Sequence, residues 1–334
     1  MTQDPHDALC KAAFSQRENA VGAIKAALPP AALAQLDLDT LRPTTTSYVD
    51  ERLGKSFSDL VYEVEIAGQP GFVCFLLYEH QSTVDPLAAL WVVFYMVRIW
   101  DGWLADHPGA TKVPPVIPIV LYHGARPWDA PLTLGAILDL PDAARAALGD
   151  LLPELRYELD DLTLASDEAI RAREMADFGR LALLLLKHGR ALRARPGPDS
   201  LGAFVRSVQD LLTVLPRNDR ERTWVYILNV AAEPEADVVI EALREALPPE
   251  QHEEVMTAGD ALRLEGKRQG MLEGKQQGKL EGKREALLAL FRRKFRQLSA
   301  DAERRVAEAD ERSLDRWTEA VLFASTLDEV WSRP

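Results

Sequence analysis

Apolar positions between His6 and Leu28 fall at Leu9, Ala12, Ala13, Val21, Ile24 and Leu28, a helical period that ends at Pro29-Pro30. A first helix is predicted there. Three stretches with strand character follow, TTTSYVDE (44–51), SDLVYEVEI (58–66) and FVCFLLYEHQ (72–81), and the last two are joined by AGQPG, whose glycines and proline suit a hairpin. They predict an antiparallel meander. Residues 87–107, LAALWVVFYMVRIWDGWLADH, are apolar on most sides, as a helix laid on a sheet would be, and VIPIVLYHG (116–124) reads as a buried strand. Residues 1–130 therefore predict an α/β core in the order helix, three strands, helix, strand.

Beyond residue 130 the patterning changes. Residues 134–155, 167–195 and 201–215 carry helical periods separated by Pro- and Gly-containing breaks, so residues 131–260 read as an all-helical region. Residues 261–334 hold the low-complexity run EGKRQGMLEGKQQGKLEGKRE followed by an amphipathic helix.

Composition narrows the class without choosing a chemistry. The 334 residues are 47% hydrophobic and 27% charged, enough for a substantial buried core. Cys10 and Cys74 make no ligand spacing and no disulfide framework, which fits a reducing cytoplasm. The N-terminal stretch has no export pattern, and the apolar run Leu87 to Val97 is too short to cross a bilayer, so no membrane partner is expected. The formal charge is −13, but residues 262–296 carry eleven Lys and Arg against four Glu, a local +7 that leaves −20 elsewhere. Global acidity thus leaves a nucleic-acid partner open.

The candidate chemistry sits on the two central strands. Side chains alternate along a strand, so Glu79 and Gln81 should share one face and His80 the other. A hairpin register in which paired residue numbers sum to 138 places Asp59 opposite Glu79. Facing carboxylates repel, and a hard cation held by oxygen ligands, most simply Mg²⁺, relieves the repulsion. Structural readings stand beside this one: Asp59 as a strand-entry turn acceptor, and Glu79 as an ion-pair partner of Arg52 or Lys55.

The segments HDALCKAAFS, SDLVYEVEI, LLYEHQS, YMVRIW and VIPIVLYHG resemble the recombination-promoting nuclease (Rpn) and "putative transposase" family, whose core is similar to the PD-(D/E)XK nucleases. The resemblance runs on through the helical part to the Glu-Gly-Lys repeat. It implies a Mg²⁺-dependent DNA endonuclease, with Mn²⁺ able to substitute, linked to DNA recombination. Asp59 and Glu79 would bind the metal, and Gln81 would stand where the superfamily usually has lysine. A carboxamide cannot act as a general base, so the role expected of Gln81 is to orient water or phosphate. That departure keeps a second reading alive, a DNA-binding or assembly module with a degenerate site.

Other residues enter with smaller roles. Tyr122 and His123, at the end of the fourth strand, are candidates for phosphate contact, against the plainer reading of a loop histidine. His80, His107 and His123 are not expected to converge on zinc, and GxSxG, Walker A and GxGxxG motifs are absent. Gly266, Gly270, Gly274, Gly278 and Gly282 make a slowly winding strip on any helix, with Lys267, Arg268, Lys275, Lys279, Lys283 and Arg284 beside it. A mobile polar linker is one reading of this repeat. Contact with DNA phosphates, or with a second chain in a homo-oligomer, is the other.

Overall fold

The computed structural model describes residues 4–44, 60–193, 198–231 and 236–332. By internal contacts the chain divides into two units, residues 1–259 and 260–334. The first unit is built on a five-stranded mixed sheet in the order β1 (Leu36–Pro43), β2 (Leu60–Ile66), β3 (Gln69–Gln81), β4 (Val116–Tyr122), β5 (Glu158–Asp161).

The β2–β3 hairpin has the predicted register, running from Leu60↔Tyr78 through Val64↔Cys74. Gly68, with φ +71°, takes the left-handed turn conformation that a side chain would resist. β3 then runs parallel to β4, and β4 parallel to β5. Pro118 is tolerated inside β4 because the pairing with β5 starts only at Ile119, so no ladder partner is missing an N–H there.

Three differences from the predicted elements have local causes, and one predicted strand is not described. The first helix is broken into α1 (Pro5–Phe14) and α2 (Arg17–Ala27), because Gln16 turns extended (ψ 122°) and buried Asn19 donates back to the Ala13 carbonyl at 2.9 Å. The predicted strand at 44–51 lies outside the described residues except for Thr44, whose N–H donates to Val61 O at 2.8 Å. The strand seen beside β2 is β1, whose short Leu-Asp alternation is not among the predicted strands. Its register shifts between Asp37 and Arg42, and Thr40 Oγ1 accepts the Glu65 N–H there at 2.8 Å. Finally, β5 is a strand inside the region predicted to be all-helical. Its Asp160 is fixed by a buried two-pronged pair with Arg173, at 2.6 and 2.8 Å.

Helices cover both faces of the sheet. α3 (Pro30–Leu33) leads into β1, and α4 (Ala88–Asp106) forms the β3–β4 crossover. The inner side of α4, Ala89, Val92, Tyr95, Met96 and Ile99, packs with Val116, Val120 and Val61 on one sheet face. The opposite face meets α1: Phe14 stacks against Tyr78 at 5.3 Å, and Tyr62 donates to the Phe14 carbonyl at 2.6 Å. The chain continues through α5 (Asp142–Leu148), α6 (Asp167–Arg171), α7 (Asp177–Arg193), α8 (Pro198–Ser207), α9 (Gln209–Val214), α10 (Arg217–Ala231) and α11 (Ala236–Ala246), of which α7 and α10 pack against α1.

The 47-residue helix α12 (Pro249–Phe295) runs unbroken through the glycine repeat. In the second unit its end packs with α13 (Ala300–Glu308), α14 (Glu311–Phe323) and α15 (Leu327–Ser332) around Leu287, Phe291, Val306, Leu314, Trp317 and Val330. This small core has its own aromatic pair, Trp317 against Trp331 at 4.6 Å, with the Arg305 guanidinium 4.8 Å over the Trp331 ring.

Candidate active site

β3 decides where the chemistry can lie. Because its side chains alternate, Glu79 and Gln81 share the α4 face with their β4 partners Val120 and Tyr122, while His80 shares the α1 face with Leu121. Gln81 Nε2 donates to Glu79 Oε1 at 3.2 Å, and Glu79 is only 2% exposed. A carboxylate so far from water needs compensation, and one neutral amide is a modest share of it. Gln81 O accepts the His123 N–H at 3.0 Å, so it points to β4. The carbonyl of His80, one residue back, therefore points to the β2 side.

The hairpin register ends at Leu60↔Tyr78, one position short of the predicted carboxylate pair, and Asp59 lies outside the described residues. Among the described residues no three His, Cys, Asp or Glu side chains converge as metal ligands. The donors present, a carboxylate and a carboxamide, are nevertheless of the oxygen type that suits a hard divalent cation rather than zinc. Glu79 is the residue that would hold one. Just beyond β3 the chain is fastened by Asp85, which accepts the Leu87 N–H at 2.8 Å and the Trp91 Nε1–H at 2.9 Å.

Tyr122 and His123, the candidates for phosphate contact, point to opposite faces of β4 and are 1% and 2% exposed. The Tyr122 hydroxyl donates to Arg126 O at 2.9 Å and lies where any Cβ at position 124 would stand, which explains Gly124.

His123 instead belongs to a buried polar cluster on the α1 face that no motif announces. Its ring stacks on His80 at 5.3 Å with 6° between planes and lies 5.0 Å from His6. Asp7 Oδ1 is 3.4 Å from His80 Nδ1, and Tyr226 on α10 bridges His6 Nδ1 at 3.0 Å to the Leu185 carbonyl at 3.1 Å. Burial, then the neighbouring His6, lowers the His80 pKa to about 4, and burial, His80 and His6 hold His123 well below the usual imidazole range. Burial beside Glu79 and Asp7 likewise pushes the Cys10 thiol far up, which leaves it an unreactive core residue.

The six basic residues of the repeat divide into two groups. Lys279 and Lys283 pair with Glu311, Lys283 also pairs with Asp315, and Arg284 donates to Ala309 O at 3.0 Å. Hydrogen bonds from Lys283 and Lys279 lower the Glu311 pKa to about 2. Lys267, Arg268 and Lys275 lie on the exposed stretch of α12, where a Cβ on Gly266, Gly270, Gly274 or Gly278 would meet nothing within 4 Å.

The first unit is thus a mixed α/β sheet with buried Glu79 and half-buried Gln81 at the carboxyl end of its central strand, followed by a helical region. The family follows from comparison: residues 4–222 match the family described as "Putative transposase, YhgA-like", and the chain belongs to it. Among its relatives, recombination-promoting nuclease RpnA of Escherichia coli (strain K12) is 30% identical over 271 residues, covering 80% of this chain and 86% of that protein. Recombination-promoting nuclease RpnD of Escherichia coli O157:H7 is 28% identical over 268 residues, covering 78% and 95%. A third relative bears the name inactive recombination-promoting nuclease-like protein RpnE, from Escherichia coli (strain K12), and is 28% identical over 275 residues, covering 80% and 85%. No solved structure matches the chain.

Proposed function

We propose that the protein is a Mg²⁺-dependent DNA endonuclease acting in recombination, with a PD-(D/E)XK-like core. The observation that carries the reading is Glu79, a carboxylate buried to 2% exposure at the end of the central strand and hydrogen-bonded by Gln81, in a chain whose relatives are named nucleases. A bound divalent cation would supply charge neutralisation at the phosphate and a lowered pKa for an attacking water. Glu79 would hold it, with Asp59 as the second carboxylate. Gln81 acts first on Glu79: its amide fixes one carboxylate oxygen and leaves the carboxamide oxygen to accept a hydrogen bond from water, which is a positioning role and not that of a base.

The test is nicking of supercoiled plasmid with Mg²⁺ and with chelator, for wild type and Glu79→Ala. Wild-type nicking that needs Mg²⁺ and vanishes in the variant is expected. Equal nicking by both proteins would overturn the assignment.

A second reading is kept by Gln81, whose amide is turned to Glu79, and by the relative named inactive: a DNA-binding or assembly module with a silent site. In the same assay such a module retards DNA without producing nicks.

A further inference from the structure

We infer that the outward face of α4 pairs antiparallel with the same face of a second copy of this chain, forming a twofold dimer. α4 is long and apolar enough to pass for a membrane span, yet only 33% of it is buried. A helix that is apolar all round needs cover all round. Its inner face has that cover in the sheet. Its outer face presents Leu87, Phe94, Val97 and Leu104, each between 42% and 49% exposed, with half-buried Leu90 between them. The steps from 87 to 90, 94, 97, 101 and 104 alternate three and four residues, the seam of helix-to-helix packing, interrupted by a single polar residue, Asp101.

Charge selects the occupant. An anionic lipid surface or a nucleic acid would meet Asp101 in the seam and Asp106 at its end, on a chain of net charge −13, with Arg98 the one cation along the stripe. A second copy meets no such penalty. In an antiparallel pair related by a twofold axis between residues 98 and 101, Arg98 of each chain lies against Asp101 of the other. Within one chain these two residues are already attracted but only loosely, at 3.8 Å, and the Asp101 side chain is 75% exposed, so it can accept a second guanidinium. Phe94 lies one turn from this pair and supplies the aromatic anchor. A seam one helix long, about 28 Å at 1.5 Å per residue, makes a weak dimer that fills over the micromolar range.

Sedimentation velocity on the full chain tests this without reference to nuclease activity. Wild type is expected to move from monomer to dimer with concentration. Phe94→Asp should weaken the dimer more than about a hundredfold, because an isologous interface carries each substitution twice. R98E and D101R should each weaken it alone, since each sets like charges against one another across the twofold. An equimolar mixture of R98E and D101R should regain the dimer, because the heterodimer restores opposite charges at both crossings. These positions face outward, so unchanged urea midpoints should accompany all three variants. A wild type monomeric throughout the micromolar range would overturn the inference, as would a Phe94→Asp protein that dimerises like wild type, or a mixture no more dimeric than its parts. Plasmid nicking by the same samples bears on the active-site reading alone.

Discussion

The two faces of β3 hold polar groups under different regimes. On the α1 face, His80, His123, His6, Asp7 and Tyr226 close on one another at 3.0 to 5.3 Å, and burial keeps His80 and His123 neutral. On the α4 face, Glu79 is just as buried, but a carboxylate cannot be made cheap by staying in an apolar wall. Neutral imidazoles tolerate a dry core and so serve packing, whereas a buried carboxylate puts a demand on the groups around it. The proposed chemistry is placed on that second face because a bound cation is one group that would answer such a demand.

The largest effect should come from removing that demand. Glu79→Ala should lower Mg²⁺-dependent nicking by more than about a hundredfold, beyond the 10- to 100-fold typical of losing a mere supporting group. A wild-type rate for Glu79→Ala would erase the contrast between the faces.

The α1 face should reveal itself in the pH dependence of stability. His80 has its pKa lowered from 6.5 to about 4, so below pH 6.5 the unfolded chain takes up a proton that the folded chain refuses. Stability contributed by the neutral ring is whole above pH 6.5 and declines as pH falls toward 4, by about 3 kcal/mol in all at ~1.4 kcal/mol per pKa unit. Urea titrations at pH 7, 6, 5 and 4 would show the decline. His80→Gln should make it shallower, leaving the part that His123 contributes, and Glu79→Ala should not. A wild-type stability independent of pH over this range would show that His80 titrates normally.

How much of this was readable in the chain depends on whether the information was local. The β2–β3 register was legible because an alternating pattern and a glycine turn both fix it, and the same alternation put Glu79 and Gln81 on one face. β1 and β5 were not legible. LDLDTLRP alternates for only four residues before its register shifts, and ELDD is a polar strand of four residues, so the pairing of each is set more by the neighbour it meets than by its own propensity. The histidine cluster was hidden for a related reason. Positions 6, 80, 123 and 226 have no common spacing, and only the packing of α1 and α10 on the sheet collects them. His123, a candidate phosphate contact by its place at a strand end, lies on the face of β4 that meets α1, which its neighbours in sequence do not reveal. The α/β core with a helical region behind it was legible from periods alone, while the second carboxylate, Asp59, falls outside the described residues.

Gln81 sharpens the α4 face at intermediate scale. Gln81→Ala should lower nicking by roughly tenfold, the cost of losing a group that orients another. Gln81→Lys should preserve or raise the rate, since an ammonium can neutralise Glu79 and phosphate together. Loss of all nicking in Gln81→Lys would mean that the carboxamide oxygen itself is needed.

The smallest effect separates the two groups of lysines in the repeat. Lys279 and Lys283 are engaged with Glu311 and Asp315 inside the second unit, so their charge is largely answered within the fold, whereas Lys267 and Lys275 lie on the exposed stretch of α12. Phosphate contact releases counterions, and each lysine that makes one adds about 0.9 to the slope of log affinity against log salt. Replacing Lys267 and Lys275 with Gln should therefore reduce that slope by up to about 2. Replacing Lys279 and Lys283 should barely change it, and should cost the second unit little, as exposed ion pairs contribute little. Fluorescence anisotropy of labelled duplex DNA across a salt series measures both slopes. If the paired lysines moved the slope and the exposed ones did not, DNA would have to displace the Glu311 pairing, and the helical repeat would be reading phosphates through its inner side.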